Sequence, residues 1–343
     1  MKKILKFLIS AVAFIVIALL VASDLFKTDY KTHEKSAVAM GTVVSACIYG
    51  GDEKTAQDII ASIEETEKLI SRNIADSCVS LLNKNGQTDV NGDVAYLFRL
   101  CKDVCSRSDG CFDITTGELS SLWDIGGEKQ RIPQKNEIEK ALEKVDGTSV
   151  SVSNNTVKIK KGQTVDLGAA GKGFAADRAF EILEKSGVKG AVVSVGGSIL
   201  LYGRHNPSQQ KWSVAVRDPF GSSSDYAGVL ELSGGYISTS GDYERYFEKN
   251  GKRYHHILSP FDGYPVDNGL KSVTIVADEG AVSDILSTAC FVMDLKDGMK
   301  LADGLGVQAV FIDKNKNVYL TDGLKNCFHL CSDEFNLAEY EKD

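Results

Sequence analysis

Proline is scarce in this chain, five residues in 343, and no internal repeat or biased segment interrupts it. That excludes a proline-rich recognition arm, a solenoid and a long low-complexity linker. No block of lysine and arginine occurs, and the formal charge of -8 is spread thinly, which argues against a nucleic-acid surface. Matched C-x2-C knuckles are missing, so the eight cysteines do not read as a zinc site. Long apolar runs are missing too, with one exception at the start of the chain.

That exception is "MKKILKFLISAVAFIVIALLVASD", three lysines followed by an apolar run from Phe7 to Ala22 and closed by Ser23 and Asp24. Charge before apolar residues is the order of an export signal, and the run is close to the roughly 20 residues that span a bilayer. Residues 1–23 are therefore expected to be a signal peptide or a signal anchor, 24–35 a polar tether, and 36–343 one exported domain, with order beginning near Ala37. The cell membrane or the space outside the cytoplasm is the expected location. An exported chain invites disulfides, but the spacing supports no framework: half or more of the eight cysteines are expected to be small core residues, and a Cys327–Cys331 bridge is left open.

With 43% hydrophobic residues the chain can bury a large core. "AVAMGTVVSACIYG" reads as a strand, Asp52 to Ile70 and Asp93 to Cys105 as helices, the second with Asn91 as a cap, and "EIEKALEKV" as a third helix. Short strands are expected near 149–153 and 156–160, then "TVDL", "GAVVSVGGSILLYG" and "KWSVAVRDP". "NVYLT" reads as a strand, and a terminal helix is expected near Asp333 to Tyr340. Helices and strands mix without a βαβ rhythm, which favours an α+β fold with an antiparallel sheet.

Several segments carry chemistry. "TVDLGAAGKGFAADRAFEIL" runs through a glycine-rich turn into a helix whose free N–H groups suit an anion. Lys172, in the first turn of that helix, stands at the end where a cation is unfavourable, a conflict that a bound phosphate would relieve. The segment lacks the spacing of a dinucleotide fingerprint or a P-loop, so alone it is also an ordinary capped corner. "AVSDILSTACFVM" places Asp284 and Thr288 four apart on one helix face, a carboxylate and a hydroxyl able to hold a hard cation. In "GGYISTSGDYERYFEKNGKRYHHILSPFDGYP" adjacent His255 and His256 face opposite ways on a strand, so only one looks into a given cleft. "CFDITTGELSSLWDIGG" is an irregular loop with Asp113, Thr115, Thr116 and Trp123.

Taken in order, Met40-Gly41-Thr42, "FDITTGELSSLWDIG", "VDLGAAGKGFAADRA", "VVSVGGSI", "STSGDYERYF", "YHHILSPFDGYP" and "SDILSTACFVM" resemble the ApbE-type family of FAD:protein FMN transferases over roughly residues 36–312. The resemblance implies a single T-fold-like domain with a mixed, largely antiparallel sheet. It implies FAD as substrate, Mg2+ on the pyrophosphate, and transfer of FMN to a threonine or serine hydroxyl of another exported protein with release of AMP. On this reading Met40, Thr115, Thr116, Asp166, Lys172, Gly196, Gly197, Ser240, Gly241 and Asp242 line the FAD site. The Ala169 carbonyl, Asp284 and Thr288 hold the metal, His256 is the base, and Asp284 has a catalytic role.

Two positions depart from the family. Asn73, also placed at the FAD site, stands where an aromatic residue is common, and leaves the flavin ring more open to water. Ser198 stands where Asp or Asn follows the paired glycines. These keep open a Mg2+-dependent FAD pyrophosphatase yielding FMN and AMP; a non-catalytic flavin carrier at the membrane is a third reading. Family acceptors carry Asp-Gly-x-[Ser/Thr]-Gly-Ala-[Ser/Thr]; the nearest stretch here, "DGTSVSVS", lacks the Gly-Ala step. The acceptor is thus expected to be a separate exported protein, such as a membrane redox subunit.

Overall fold

The computed structural model describes residues 30–340. The apolar run at the start of the chain lies outside the described residues, and among those described no helix is long and apolar enough to cross a membrane.

Among the described residues nine strands form the main sheet: β1 (Thr32–Ala39), β2 (Thr42–Tyr49), β3 (Gly190–Val195), β4 (Ser198–Gly203), β5 (Gly235–Gly241), β6 (Leu270–Ala277), β7 (Gln308–Asp313), β8 (Asn317–Leu320) and β9 (Asn336–Leu337). Spatial order follows this sequence order, and every pair is antiparallel except the parallel β8–β9. The helices are α1 (Glu53–Ile70), α2 (Cys78–Asn85), α3 (Gly92–Arg107), α4 (Gly117–Trp123), α5 (Lys135–Leu142), α6 (Gly171–Ser186), α7 (Gly280–Val292) and α8 (Leu295–Leu305). The α+β expectation, with a largely antiparallel sheet, holds.

Both faces of the sheet are covered, which is why its central strands are almost continuously apolar. Period-two alternation still sorts the side chains. In β2, Val44, Ala46 and Ile48 face α1 and α6, whereas Cys47 and Tyr49 face the other side. In β7, Ala309 and Phe311 join the core under α3 and α7; Val310 and Ile312 meet Trp212, Leu230 and Phe328 of a small sheet built from Trp212–Arg217, Tyr226–Leu232 and Phe328–Leu330. A fully buried aliphatic side chain such as Ile59 contributes about 1.5–3 kcal/mol. A satellite cluster of Leu119, Trp123, Ile138 and Leu258 carries the hairpin Tyr246–Lys249/Lys252–His255, pinned where Trp123 Nε1 donates to Gly263 O at 2.8 Å.

Several boundaries differ from the sequence reading. The strand expected over residues 37–50 is a hairpin, turned at Met40 (φ 55) and Gly41 (φ 67). Two left-handed residues in a two-residue loop match the twist of the strands, a place where asparagine usually stands and methionine gave no signal. β1 also starts at Thr32, inside the expected tether. As the sheet edge it is mostly exposed and polar, so it lacks the alternation that marks a half-buried strand. "GAVVSVGGSILLYG" is likewise a hairpin, β3 and β4, turned at Gly196–Gly197. "TVDL" is not a strand of any sheet; it is tied by Asp166 N to Ile114 O (2.8 Å) and by both amide atoms of Asn83 to Val165. The terminal helix is replaced by β9, because Phe335 is buried in the far-side core while Leu337 is exposed. All eight cysteines are free, including Cys327 and Cys331.

Candidate active site

The conflict posed by Lys172 has a local answer. Its ammonium lies 3.1 Å from Asp284 Oδ1, and Asp284 Oδ2 accepts the N–H groups of Lys172 (3.1 Å) and Gly173 (3.0 Å) at the start of α6. A carboxylate from α7 therefore occupies the anion position that the helix end favours, and neutralises the lysine. This close approach needs glycine. A Cβ on Gly173 would stand 2.0 Å from Gly280 O, and one on Gly280 would stand 2.3 Å from Gly173 O. The two helices touch backbone to backbone, which carries Asp284 to the start of α6.

Hydroxyls complete the setting. Ser198 Oγ donates to Asp284 Oδ1 at 3.1 Å, Ser238 Oγ donates to Ser198 Oγ at 3.1 Å, and Ser283 Oγ lies 2.8 Å from Ser238 Oγ. One turn further along α7, Thr288 Oγ1 and Ser287 Oγ lie 3.1 and 2.9 Å from Ser240 Oγ. Ser198, the departure noted above, is thus part of the support of Asp284. The amide of Gly173 serves Asp284 in place of the Ala169 carbonyl that helical geometry would offer it.

Turns from three hairpins or strand ends gather at this end of the sheet. Gly196 abuts Thr42, Thr239 N donates to Gly197 O at 3.1 Å, and Arg245 Nη2 donates to Gly41 O at 2.9 Å. Gly171, at the start of α6, faces Met40 Cε. Asp166 lies on the neighbouring turn: its Oδ1 accepts Gly168 N at 2.8 Å, and its Oδ2 pairs with Arg72 Nε at 3.2 Å. Arg72 also donates to Gly117 O at 2.7 Å, joining the turn to the loop before α4. Asn73 beside it is exposed.

Other positions are committed to the protein itself. Thr115 is buried; its hydroxyl donates to Asp113 Oδ1 (2.6 Å) and accepts Asp146 N (2.8 Å). Thr116, half-buried, donates to Asp113 O at 2.9 Å. Asp242, at the end of β5 after Gly241, is buried and pairs with Lys271 and Arg253. The histidine pair divides as strand geometry requires. His255 is buried with Nε2 2.8 Å from Val266 O and its ring edge-on to Phe291, whereas His256 is exposed. Protein crowded around the His256 ring, with the charges of Arg245 and Lys172, pushes its pKa well below the usual histidine value. The residue is still exposed, and its imidazole is neutral near pH 7.

Among the described residues no group of three or more His, Cys, Asp or Glu is placed to hold a metal ion. The set named from the sequence has one carboxylate, one hydroxyl and one main-chain carbonyl. These are hard oxygen donors of the kind Mg2+ accepts when a ligand's phosphates supply the remaining oxygens, so the residues fit such an ion. The sequence reading missed Asp177, Arg72, Ser238 and Ser283. Asp177 follows Gly173 by one helical turn in "GKGFAAD", the one signal that pointed to it.

The model of the ApbE family matches residues 40–311. Two curated FAD:protein FMN transferases, from Klebsiella pneumoniae (strain 342) and Treponema pallidum (strain Nichols), are each 31% identical over 86% of this chain, covering 93% and 88% of their own lengths. Among solved structures, the ApbE protein of Thermotoga maritima is similar with a TM-score of 0.79 and 30% identity, over 87% of this chain and 99% of that one. The Pseudomonas stutzeri flavinyl transferase ApbE follows the fold with a TM-score of 0.76 and 26% identity, over 89% and 98% of the two chains. The fold is that of the solved ApbE flavin transferases. The chain belongs to the ApbE family.

Proposed function

We propose that this chain is an FAD:protein FMN transferase. It is an enzyme: the curated relatives that carry this activity match it over most of both lengths. The observation that carries the reading is the pair formed at the start of α6 by the buried Asp284 and the partly exposed Lys172, one acidic and one basic group at a single point. That point suits a pyrophosphate and its counter-ion.

The reaction balances as follows. The hydroxyl oxygen of an acceptor serine or threonine attacks the FMN phosphorus of FAD, the anhydride bond breaks, and AMP departs with the bridging oxygen. His256, neutral at pH 7, receives the hydroxyl proton. Lys172 stabilises charge on the departing phosphate, and Met40 and Asp166 orient the dinucleotide. Asp284, Thr288 and the Ala169 carbonyl would hold Mg2+, which when bound supplies Lewis-acid neutralisation of the phosphates. The acceptor on this reading is a separate exported protein, and the order of lysines before an apolar run at the start of the chain supports a location outside the cytoplasm at the membrane.

Asn73 favours a second activity. An exposed amide at the rim leaves the flavin side accessible to water, which can replace the acceptor hydroxyl and give FMN and AMP. Incubation with FAD, Mg2+ and an exported acceptor protein tests both. Flavin fluorescence that stays with the denatured acceptor supports transfer; free FMN formed at the same rate with or without acceptor supports hydrolysis; unchanged FAD overturns both.

A further inference from the structure

Glu279, the residue before α7, makes no cap to its own helix and instead receives the Tyr96 hydroxyl at 2.9 Å. The first amides of α7 are taken from the flank of α6: Asp177 Oδ1 accepts Gly280 N at 2.6 Å and Oδ2 accepts Ala281 N at 2.8 Å. The Tyr236 ring packs against Gly280, and its hydroxyl is near enough to Asp177 to favour the charged carboxylate. Meanwhile Asp284 of α7 accepts the amides of Lys172 and Gly173 on α6. Each helix lends a carboxylate to the first turn of the other, and the exchange brackets the contact of Gly173 with Gly280.

We propose that Asp177 is a positioning residue for the transfer reaction: by capping α7 from α6 it fixes the depth at which Asp284 and Thr288 meet the cleft. The inference rests on the role given above to Asp284. Its physical basis is the crossing itself. Two glycines in backbone contact have no side chains to interlock at the crossing point itself, so small slides of one helix along the other are resisted there only by the packing that flanks it. The apolar face of α7, with Ile285, Leu286 and Ala289 buried, is held by non-directional forces that tolerate such a slide. Hydrogen bonds donated by two successive amides to one carboxylate do not, because they weaken steeply with angle and distance. Asp177 is therefore the directional element on the side of the crossing away from the cleft, and Asp284 the one facing it.

The test uses the full chain carrying Asp177→Asn, in which an amide oxygen can serve only one of the two N–H groups. Mn2+ alone is the probe for the Asp284 site, read by electron paramagnetic resonance, alongside steady-state transfer. Mn2+ affinity and kcat are each expected to fall about 10-fold or more, the range seen when a partner orienting a metal ligand is lost, with KM for FAD changed much less. Leu183→Ala, which loosens buried packing elsewhere on α6, is the control and should lower thermal stability without moving Mn2+ affinity. Tyr236→Phe, a milder change, should shift Mn2+ affinity in the same direction by a smaller factor if Asp177→Asn does not fold. A wild-type Mn2+ affinity and kcat in Asp177→Asn, or equal losses in Leu183→Ala, would overturn the inference. If the wild-type chain neither binds Mn2+ nor transfers FMN, the proposed function fails instead. A crystal structure of Asp177→Asn then decides the inference alone, which falls if Asp284 keeps its contacts to the Lys172 and Gly173 amides.

Discussion

Around Asp284 the carboxylate receives two backbone amides, a serine hydroxyl and a lysine ammonium, and only 5% of its side-chain surface is open. At the rim, Asn73 and His256 stand exposed on loop and hairpin. The inner half of the proposed site is fixed by crossing helices, which suits the proposed neutralisation of a pyrophosphate. The other half is open to whatever brings the nucleophile. Preorganised charge belongs in the first and choice of acceptor in the second.

The sharpest way to break this division is Asp284→Ala. Turnover is expected to fall about a thousandfold or more, since the lysine and two amides lose their shared anion; activity near wild type would dissolve the fixed half. His256→Ala should lower kcat/KM about a hundredfold while FAD binding persists. The same residue sets a pH dependence. Its pKa is depressed, so the proposed base is deprotonated well below pH 6.5, and kcat/KM should rise with pH only on the acid side of that value and stay flat above it. An acid limb centred at the ordinary histidine value would contradict the depressed state.

Gly173→Ala tests the crossing. The added carbon meets Gly280 O at 2.0 Å, so the helices must part, at a stability cost of about 1–3 kcal/mol and about a 10- to 100-fold loss of transfer as Asp284 shifts. Thermal unfolding and kinetics measure both; unchanged values would mean that the helices separate freely. The smallest effect is expected at the rim. Asn73→Tyr should leave stability within about 0.5 kcal/mol and cut water-driven FMN release a few-fold relative to transfer, read as the ratio of free to protein-bound FMN. An unmoved ratio would remove the role assigned to ring exposure.

What the sequence disclosed follows the same division. Asp284 and Thr288 were legible because helical spacing puts them on one face, and α1 and α3 because their caps and apolar periods were intact, with Asp52 and Asn91 accepting Thr55 N and Val94 N. Hidden were features that depend on contact across the chain. Lys172 reads as a misplaced cation until α7 supplies its partner, and Asp177 reads as one more polar helix residue until Gly280 arrives. β1 was masked by the polarity proper to a sheet edge, and the turn at Met40–Gly41 by a side chain that gives no turn signal. The rim was the least legible, because an exposed residue such as Asn73 is shaped by no packing that a pattern could reveal.

The fixed half can be seen directly by soaking crystals with FAD and Mn2+ and locating the manganese by anomalous scattering. The account places the ion within about 2.5 Å of an Asp284 carboxylate oxygen and beside the pyrophosphate. A manganese site elsewhere, with the pyrophosphate away from the start of α6, would contradict it.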